Sequence, residues 1–392
     1  MSKTNPTNTH ILIPDGDSTW ALPVIKCLAF RTDYKIFVLS AKENTAAKFS
    51  KTTSYYKYYP KSYDNSWLNI LNQEIESKSI DVVLPIAEPE CLFLIQNKHL
   101  LSDIAKVIPM ASIDNFETAI DKNKLGIFCE QHQIAYPKSQ AFSNSKDFIS
   151  NGNHLTYPLL IKPLHDKGGN GIIKFDDKTK FEKFIHENFK NNSFFAQEFV
   201  EGYDIDCSVL CDNGKVLTHT IQKGFLTGKN PYSPYIGIAF LQNDEVLELT
   251  KKLMEALNWS GVAHIDLRYD KKRGEYKILE VNARFWGSVE ASRIANINFP
   301  VLICDYVSGK AITHQSYNPI SYLRFRGLIK YISKHPSYIF YLRSILKSTE
   351  AKSVLKDPLP TIYKFREWLG RKLYRKNYFF SSVTYNLLKP FS

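Results

Sequence analysis

The stretch YKILEVNARFWGS, residues 276–288, decides how the rest of this sequence is interpreted. Side chains alternate between the two faces of a β-strand, so the pattern places Ile278, Glu280 and Asn282 on one face. The other face takes Leu279 and Val281. A carboxylate and an amide that point the same way are the hard oxygen ligands that Mg²⁺ prefers. A plain β-strand that enters a polar turn would give the same pattern, so the neighbouring sequence has to decide.

A second alternating run, GVAHIDLRYD at 261–270, lies just upstream and is joined to the first by DKKRGE, which predicts a hairpin turn. Antiparallel pairing of the two runs brings Asp266 close to Glu280 and Asn282. Three oxygen donors then converge on one face of a sheet. We therefore predict a site for Mg²⁺, with Mn²⁺ as the alternative, that leaves coordination positions for phosphate oxygens and water.

These motifs, with others described below, resemble those of the ATP-grasp superfamily over residues 80–310, in particular its carboxylate–amine ligases and the ATP-binding module of the carbamoyl phosphate synthase large subunit. The resemblance implies a fold of mixed α/β and α+β class, in which a small parallel-sheet α/β domain precedes the ATP-grasp fold. The expected boundaries are residues 1–110 for the first domain, 111–193 for a glycine-rich lobe, 194–310 for a metal-binding lobe, and 311–392 for a basic, helical extension.

A strand-like run, YPLLIKP, places Lys162 just before a glycine-rich segment that contains Gly168, Gly169 and Gly171. Glycines permit positive φ and let backbone N–H groups approach an anion, and a lysine supplies a point charge for phosphate. A glycine-rich hairpin is the alternative interpretation, and both can hold. No GK[ST] follows, so this is not a P-loop. The resemblance adds Lys122 as a phosphate contact; a solvated surface lysine is the alternative.

The run FAQEFVEGYDID, which ends at residue 206, resembles the segment that joins the two ATP-binding lobes of the family. The resemblance implies that Gln197 or Glu198 and the backbone near Val200 meet the adenine. It also implies that Asp204 bonds the ribose, with Asp206 as the alternative because the register is open. A solvated edge strand would give the same sequence pattern.

Alternating strand and helix patterns before residue 110 predict a parallel sheet, with no GxGxxG to support a dinucleotide fold. Asp15 and Glu88 lie just past the carboxyl ends of two predicted strands, where ligands of such sheets bind. They are candidate substrate contacts, although polar residues at such positions are usually solvated or capping.

The composition indicates a reduced, cytoplasmic protein, because the six cysteines are scattered and the first ten residues lack an apolar signal core. No apolar run is long enough to span a membrane. The net charge of +12 lies wholly in residues 321–392, which hold fifteen Lys or Arg and three Asp or Glu, whereas the other 320 residues hold 36 of each sign. Aromatic side chains are interleaved with these cations. The tail is therefore interpreted as a surface-packed helical extension, as a segment that associates with an anionic membrane surface, or as a site for an acidic partner; nucleic acid is disfavoured.

The resemblance implies an ATP-dependent ligase that activates a carboxylate as an acylphosphate and condenses it with an amine or similar nucleophile. Phosphoryl transfer needs positioning and charge neutralisation, which Lys122, Lys162 and Arg284 are placed to supply; Arg284 and Lys162 are the candidate catalytic residues. A small-molecule kinase on the same fold and a membrane-associated, non-catalytic nucleotide-binding protein are the alternatives. Synthesis of carbamoyl phosphate is ranked below these two alternatives, because the sequence contains a single ATP-grasp module and no glutaminase region. A lipid-linked or polyanionic substrate and a homo-oligomer are left open.

Overall fold

A computed structural model describes residues 8–162, 171–228, 233–312 and 315–372. The described strands form three sheets of five, six and four strands, with helices packed against each. The predicted class, an α/β unit followed by an α+β unit, is confirmed.

The N-terminal unit is a parallel sheet with helices around it. Its elements are β1 (Thr9–Ile13), α1 (Ala21–Leu28), β2 (Tyr34–Ser40), β3 (Thr53–Tyr58), α2 (Asn65–Lys78), β4 (Val82–Val83), α3 (Glu88–Asn97), a 3₁₀ turn (Lys98–Leu100) and β5 (Lys106–Val107). The strand order is β3-β2-β1-β4-β5, with every pairing parallel. The central β1 is buried on both faces, as its unbroken apolar run predicts. Connections leave β1 toward both sides, and the carboxyl ends at such a point form a ligand crevice.

The next unit is a small four-stranded antiparallel sheet with the order β6-β9-β7-β8. Its elements are α4 (Ile113–Ile120), α5 (Lys122–Gln131), β6 (Ser139–Phe142), α6 (Ser145–Asn151), a 3₁₀ turn (Gly152–His154), β7 (Leu159–Lys162), β8 (Ile173–Phe175), α7 (Lys178–Asn188) and β9 (Phe194–Glu198). Phenylalanines fill its core, including Phe142, Phe148, Phe181 and Phe194. This rigid packing fixes β7, whose last residue is Lys162.

The third sheet has six antiparallel strands and carries the predicted metal-binding residues. Its elements are β10 (Gly202–Asp212), β11 (Lys215–Leu226), β12 (Gly237–Phe240), α8 (Asp244–Ala256), β13 (Gly261–Asp270), β14 (Glu275–Asn282), α9 (Val289–Ile294), α10 (Phe299–Val307) and β15 (Ser321–Leu323). The order is β14-β13-β10-β11-β12-β15. One face packs an apolar core that includes Ile205, Cys207, Ile265 and Leu267, so the residues that alternate with them face the other way.

A β-bulge corrects one prediction about β14. The register shifts between Asp266 and Leu267, which pair with Glu280 and Ile278, so Leu279 is the extra residue. Ile278 is therefore buried in the same core as Val281 and does not share a face with Glu280. The alternation rule failed here because a bulge has no simple signature in a single sequence.

The segment after residue 310 begins as part of the large sheet, because β15 pairs with β12 at its edge. It continues through α11 (Phe325–Lys334), a 3₁₀ turn (Pro336–Phe340), α12 (Leu342–Lys347), α13 (Ala351–Lys356) and a last helix, α14, over residues 359–372. Among the described residues, no helix is both long and apolar enough to cross a membrane.

Candidate active site

The large sheet gathers acidic side chains on its polar face, where they are partly buried. Asp266 on β13 pairs in register with Glu280 on one side and with Asp206 on the other. Asn282 donates from Nδ2 to Asp266 Oδ1 at 3.5 Å. Ligand atoms of Asp206, His264 and Asp266 lie within 4.8 Å of one another. The three predicted oxygen donors are thus brought together, and Asp206 and His264 join them.

The electrostatics of this face suit a cation. Burial, together with the neighbouring Asp204, raises the pKa of Asp206 to about 7 against the opposing effect of Gln222. Burial, followed by Asp206 and Glu280, raises the pKa of Asp266 well above its usual range. Carboxylates crowded in this way repel one another, and a divalent cation would remove the repulsion. The donor set, mainly carboxylate oxygen, fits Mg²⁺ or Mn²⁺.

His264 is held as a neutral imidazole beside these carboxylates. Its ring stacks on Trp286 with centroids 5.4 Å apart, and Nδ1 lies 2.8 Å from the Ser208 hydroxyl. Burial, together with the charges of Arg284 and Arg324, lowers the pKa of His264 to about 3. A neutral ring can accept at Nε2, which lies 3.4 Å from Asp266 Oδ1.

Lys162 projects from the end of β7 toward the strand that joins the two lobes. Its ammonium donates to Gln197 Oε1 at 2.6 Å. Burial and the charge of Lys122 lower the pKa of Lys162 to about 8, against the opposing effect of Glu280. Gln197 is buried, and its Nε2 has no hydrogen-bond partner in the part of the chain that the structure describes. A buried amide donor beside a lysine fits a ligand that offers acceptor atoms, such as a nucleotide.

The two candidates for the adenine contact, Gln197 and Glu198, have different side-chain partners in the structure. The side chain of Glu198 accepts from the Thr156 backbone N–H at 2.9 Å and from its hydroxyl at 2.6 Å. Successive residues of β9 point to opposite faces, so Gln197 faces Lys162 and Glu198 does not. Of the two residues, only Gln197 has its side chain in the site.

Arg268 holds the predicted ribose and adenine positions in place. It forms an ion pair with Asp204, whose Oδ2 also accepts from the Tyr235 hydroxyl at 3.2 Å. Its Nε donates to the backbone carbonyl of Val200 at 2.6 Å, and Nη2 donates to that of Gly202 at 3.0 Å. Asp204 therefore already has two partners, while Asp206 faces the cluster around Asp266.

The remaining predicted phosphate contacts are only partly described. Lys122 is the first residue of α5, after Asp121, whose side chain caps that helix. Its charge acts on Lys162, which places it on the same side of the lobe. Gly171 adopts a φ of +73°, as the glycine-rich segment predicts. Gly168 and Gly169 lie outside the described residues.

Arg284 links the sheet to the N-terminal unit. It donates to Asn282 Oδ1 at 2.7 Å and to the Phe285 carbonyl at 3.0 Å, and its Nε lies 3.1 Å from Glu88 Oε1. Glu88 thus contacts a candidate catalytic residue, and its contact with substrate stays a prediction. The buried carboxylate of Asp15 accepts from the Ile86 and Ala87 backbone N–H groups at 3.0 and 2.7 Å and so serves the turn before α3.

Arg324 was missed by the sequence analysis. It follows β15, and its charge acts on both Asp206 and His264. A Cβ placed on Gly287 would lie 2.5 Å from its Nη2, so the guanidinium lies directly against the loop that follows Arg284. Among the described residues its side chain forms no recorded hydrogen bond or ion pair. No local motif marks it, because the pairing of β15 with β12 alone brings it here. Asp206, in contrast, was detectable from its alternation with Ile205 and Cys207.

Comparison with known proteins agrees with this geometry. Residues 119–288 match the model of a family described as an ATP-grasp domain. The chain is 25% identical over 216 residues to the carbamoyl phosphate synthase large chain of Lachnoclostridium phytofermentans, covering 53% of this chain and 20% of that protein. It is 24% identical over 212 residues to the D-aspartate ligase of Enterococcus faecium, covering 48% and 49%.

Two solved structures have the same fold. The L-amino acid ligase from Bacillus licheniformis superposes with a TM-score of 0.57 at 21% identity, covering 77% of this chain and 74% of that one. The N5-carboxyaminoimidazole synthetase from Staphylococcus aureus, complexed with ADP, gives 0.65 at 14% identity, covering 86% and 88%.

The chain therefore has the fold of these structures, and its residues 119–288 match an ATP-grasp domain. It spans half or less of the length of the curated relatives named above.

Proposed function

We propose that this protein is an ATP-dependent ligase that joins a carboxylate to an amine or similar nucleophile and forms ADP and phosphate. The observation that carries the proposal is the pairing of Asp266 with Glu280 and Asp206, opposite the cations Lys162 and Arg284. Acidic groups that hold a metal, facing cations that hold phosphate, are what phosphoryl transfer requires. The D-aspartate ligase and L-amino acid ligase among the similar proteins support a carbon–nitrogen ligase.

The acidic face is the proposed cation site. Asp266, Glu280 and Asn282 would hold Mg²⁺ or Mn²⁺, with Asp206 and His264 adjacent. A bound divalent cation supplies charge neutralisation for phosphate oxygens. Asn282 also accepts from Arg284, so the cation site and the substrate side share one fixed side chain.

The lobe interface is the proposed ATP site. Gln197 offers its unpaired Nε2 to an acceptor on the base, and Lys162 and Lys122 offer positive charge to phosphates. The glycine segment, with Gly168, Gly169 and Gly171, would cover those phosphates. For the ribose we favour Asp204, which Arg268 orients, over Asp206, which belongs to the acidic cluster.

The carboxylate substrate is proposed to lie between Arg284 and Arg324. Both guanidiniums adjoin the loop at Gly287, and Arg324 forms no recorded ion pair among the described residues. A carboxylate oxygen attacks the terminal phosphorus of ATP, the bond from phosphorus to the bridging oxygen breaks, and ADP leaves. The neutral amine then attacks the acyl carbon, phosphate departs with the former carboxylate oxygen, and the amine nitrogen loses one proton. Arg284 and Arg324 would stabilise the negative charge that develops on the acyl oxygen.

The test is product analysis with Mg²⁺, ATP and pools of amino acids and small carboxylic acids. A ligase gives ADP, phosphate and a product whose mass equals the two substrates minus water. Lys162→Ala and Glu280→Gln should fold and lose turnover, whereas Lys174→Ala on the neighbouring strand and Glu275→Gln at the other end of β14 should retain it. A phosphorylated product without condensation would replace the ligase with a kinase. Full turnover in Lys162→Ala and Glu280→Gln would contradict the site itself.

A further inference from the structure

The last described helix, α14 at 359–372, packs on the body of the protein along one side only. Tyr363 stacks on Phe49 with centroids 4.7 Å apart, and its hydroxyl donates to the Asn44 carbonyl at 3.0 Å. Pro360, in the first turn of the helix, is buried. Pro360 and Tyr363 lie three residues apart and therefore fall on one face of the helix.

The opposite face of α14 is apolar and open. Ile362, Phe365 and Leu369 recur three and four residues apart and are 58%, 60% and 41% exposed. Leu359 and Trp368, also exposed, extend the same side. We call Ile362, Phe365 and Leu369 the α14 stripe. An exposed aliphatic and aromatic stripe on a helix fixed by its other face indicates a surface that a partner covers.

The charged side chains beside the α14 stripe are positive. Arg366 and Lys372 lie beside it at helical spacing, and both are exposed. The described extension 321–372 carries twelve Lys or Arg against three Asp or Glu, while residues 1–320 are neutral overall. Long cationic side chains that flank an apolar stripe are the pattern of helices that lie in a lipid interface.

We propose that the α14 stripe docks on an anionic lipid bilayer, with Ile362, Phe365 and Leu369 in the acyl boundary and Arg366 and Lys372 at the lipid phosphates. A second copy of this chain fits less well, because its extension carries the same positive charge and would be repelled. A lipid surface offers both apolar contact and negative charge. The helix would lie along the surface, in keeping with the finding that no described helix could span a membrane.

Vesicle sedimentation with the full chain tests the proposal, using phosphatidylcholine vesicles with and without phosphatidylglycerol. The wild-type protein should bind only the anionic vesicles, and added salt should weaken binding. Phe365→Ser with Leu369→Ser should reduce the partition coefficient at least tenfold. The control pair is Ile104→Ser with Ile127→Ser, at side chains 59% and 49% exposed elsewhere, and it should bind like wild type.

A charge series separates the role of the two cations from net charge. Arg366→Glu with Lys372→Glu should abolish binding, whereas Lys180→Glu with Lys183→Glu on α7 changes net charge equally and should leave most of it. Thermal melts of each variant establish that it folds. Three results would overturn the proposal: no binding by wild type, equal binding by the Phe365/Leu369 pair, or a wild-type dimer in light scattering that this pair converts to monomer. None of these readouts depends on ligase activity.

Discussion

Asp206 and Asp266 pair directly across the adjacent strands β10 and β13, and each side chain is partly buried on the polar face of the sheet. Two neighbouring carboxylates in a desolvated position store electrostatic repulsion until a cation or a proton neutralises them. A cation bound at this pair would therefore link metal binding, stability and pH in this protein through two side chains.

Mg²⁺ or Mn²⁺ should raise the melting temperature of the protein, because a ligand that binds only the folded state stabilises it. Asp266→Asn removes one charge from the centre of the cluster, so it should weaken the cation affinity at least tenfold. Titration of Mn²⁺ by electron paramagnetic resonance gives that affinity directly. Asp212→Asn at the far end of β10 is the control and should bind like wild type; equal weakening in both variants would argue against the assigned site.

The metal-free protein should lose stability as pH rises from about 4 to about 7. The folded-state pKa of Asp206 is raised to about 7, so the folded state binds more protons than the unfolded state in this window. Asp206→Asn removes this titration and should flatten the slope of unfolding free energy against pH. Asp15, whose pKa burial also raises to about 7, and Asp266, whose pKa burial raises well above its usual range, keep part of the slope in that variant. Urea unfolding at several pH values, with a chelator present, measures this slope for the wild-type protein and for Asp206→Asn. An unchanged slope in the variant would contradict the prediction.

The value of kcat/KM for ATP should fall above about pH 8. Burial lowers the pKa of Lys162 to about 8, and only the charged ammonium neutralises phosphate. Lys162→Arg keeps the charge at all accessible pH values and should remove this fall, although its rate at pH 7 drops because the guanidinium has a different shape. Lys174→Arg should keep the wild-type profile. A wild-type profile flat to pH 9 would count against Lys162 as the phosphate contact.

Removal of the Gln197 amide should affect nucleotide binding more than turnover. Gln197→Leu keeps the volume and loses both the bond to Lys162 and the free Nε2. Hydrogen bonds to charged groups contribute about 1.5–3 kcal/mol, so KM for ATP should rise about ten- to a hundredfold. Glu198→Gln, one residue on but bound to Thr156, should leave KM for ATP nearly unchanged. The reverse order of effects would mean that Glu198 makes the adenine contact.

The sequence predicted the local parts of the site and missed those that depend on distant pairing. The hairpin of β13 and β14 follows from alternation and a turn, so Asp266, Glu280 and Asn282 were found together. The bulge that buries Ile278 and the pairing of β15 with β12 have no local signal, because each is set by packing against other strands. For that reason Arg324 became visible only in the structure. Asp15 takes the capping role that the sequence left open beside a substrate contact: a strand-end carboxylate can cap the next turn, and here it accepts two backbone N–H groups.

Arg324 should govern affinity for the carboxylate substrate. Arg324→Ala removes a guanidinium that acts on Asp206 and His264 and forms no recorded ion pair among the described residues, so little native contact is lost. KM for the carboxylate should rise about ten- to a hundredfold while KM for ATP changes little, as expected when one charge-assisted hydrogen-bond donor is lost. The exposed neighbour Arg326→Ala should behave like wild type.

Gly287→Ala should displace the Arg324 guanidinium without removing it. The new Cβ would lie 2.5 Å from Arg324 Nη2 and 2.9 Å from Trp20, so the flexible guanidinium has to move away and the Trp20 ring has to shift slightly. This variant should therefore raise KM for the carboxylate as well, and combining it with Arg324→Ala should add little, because both changes act through one side chain. Gly370→Ala on α14, where a Cβ meets no atom within 4 Å, is the matched control. Additive effects of Gly287→Ala and Arg324→Ala would mean that the loop contributes independently and that Arg324 does not act alone.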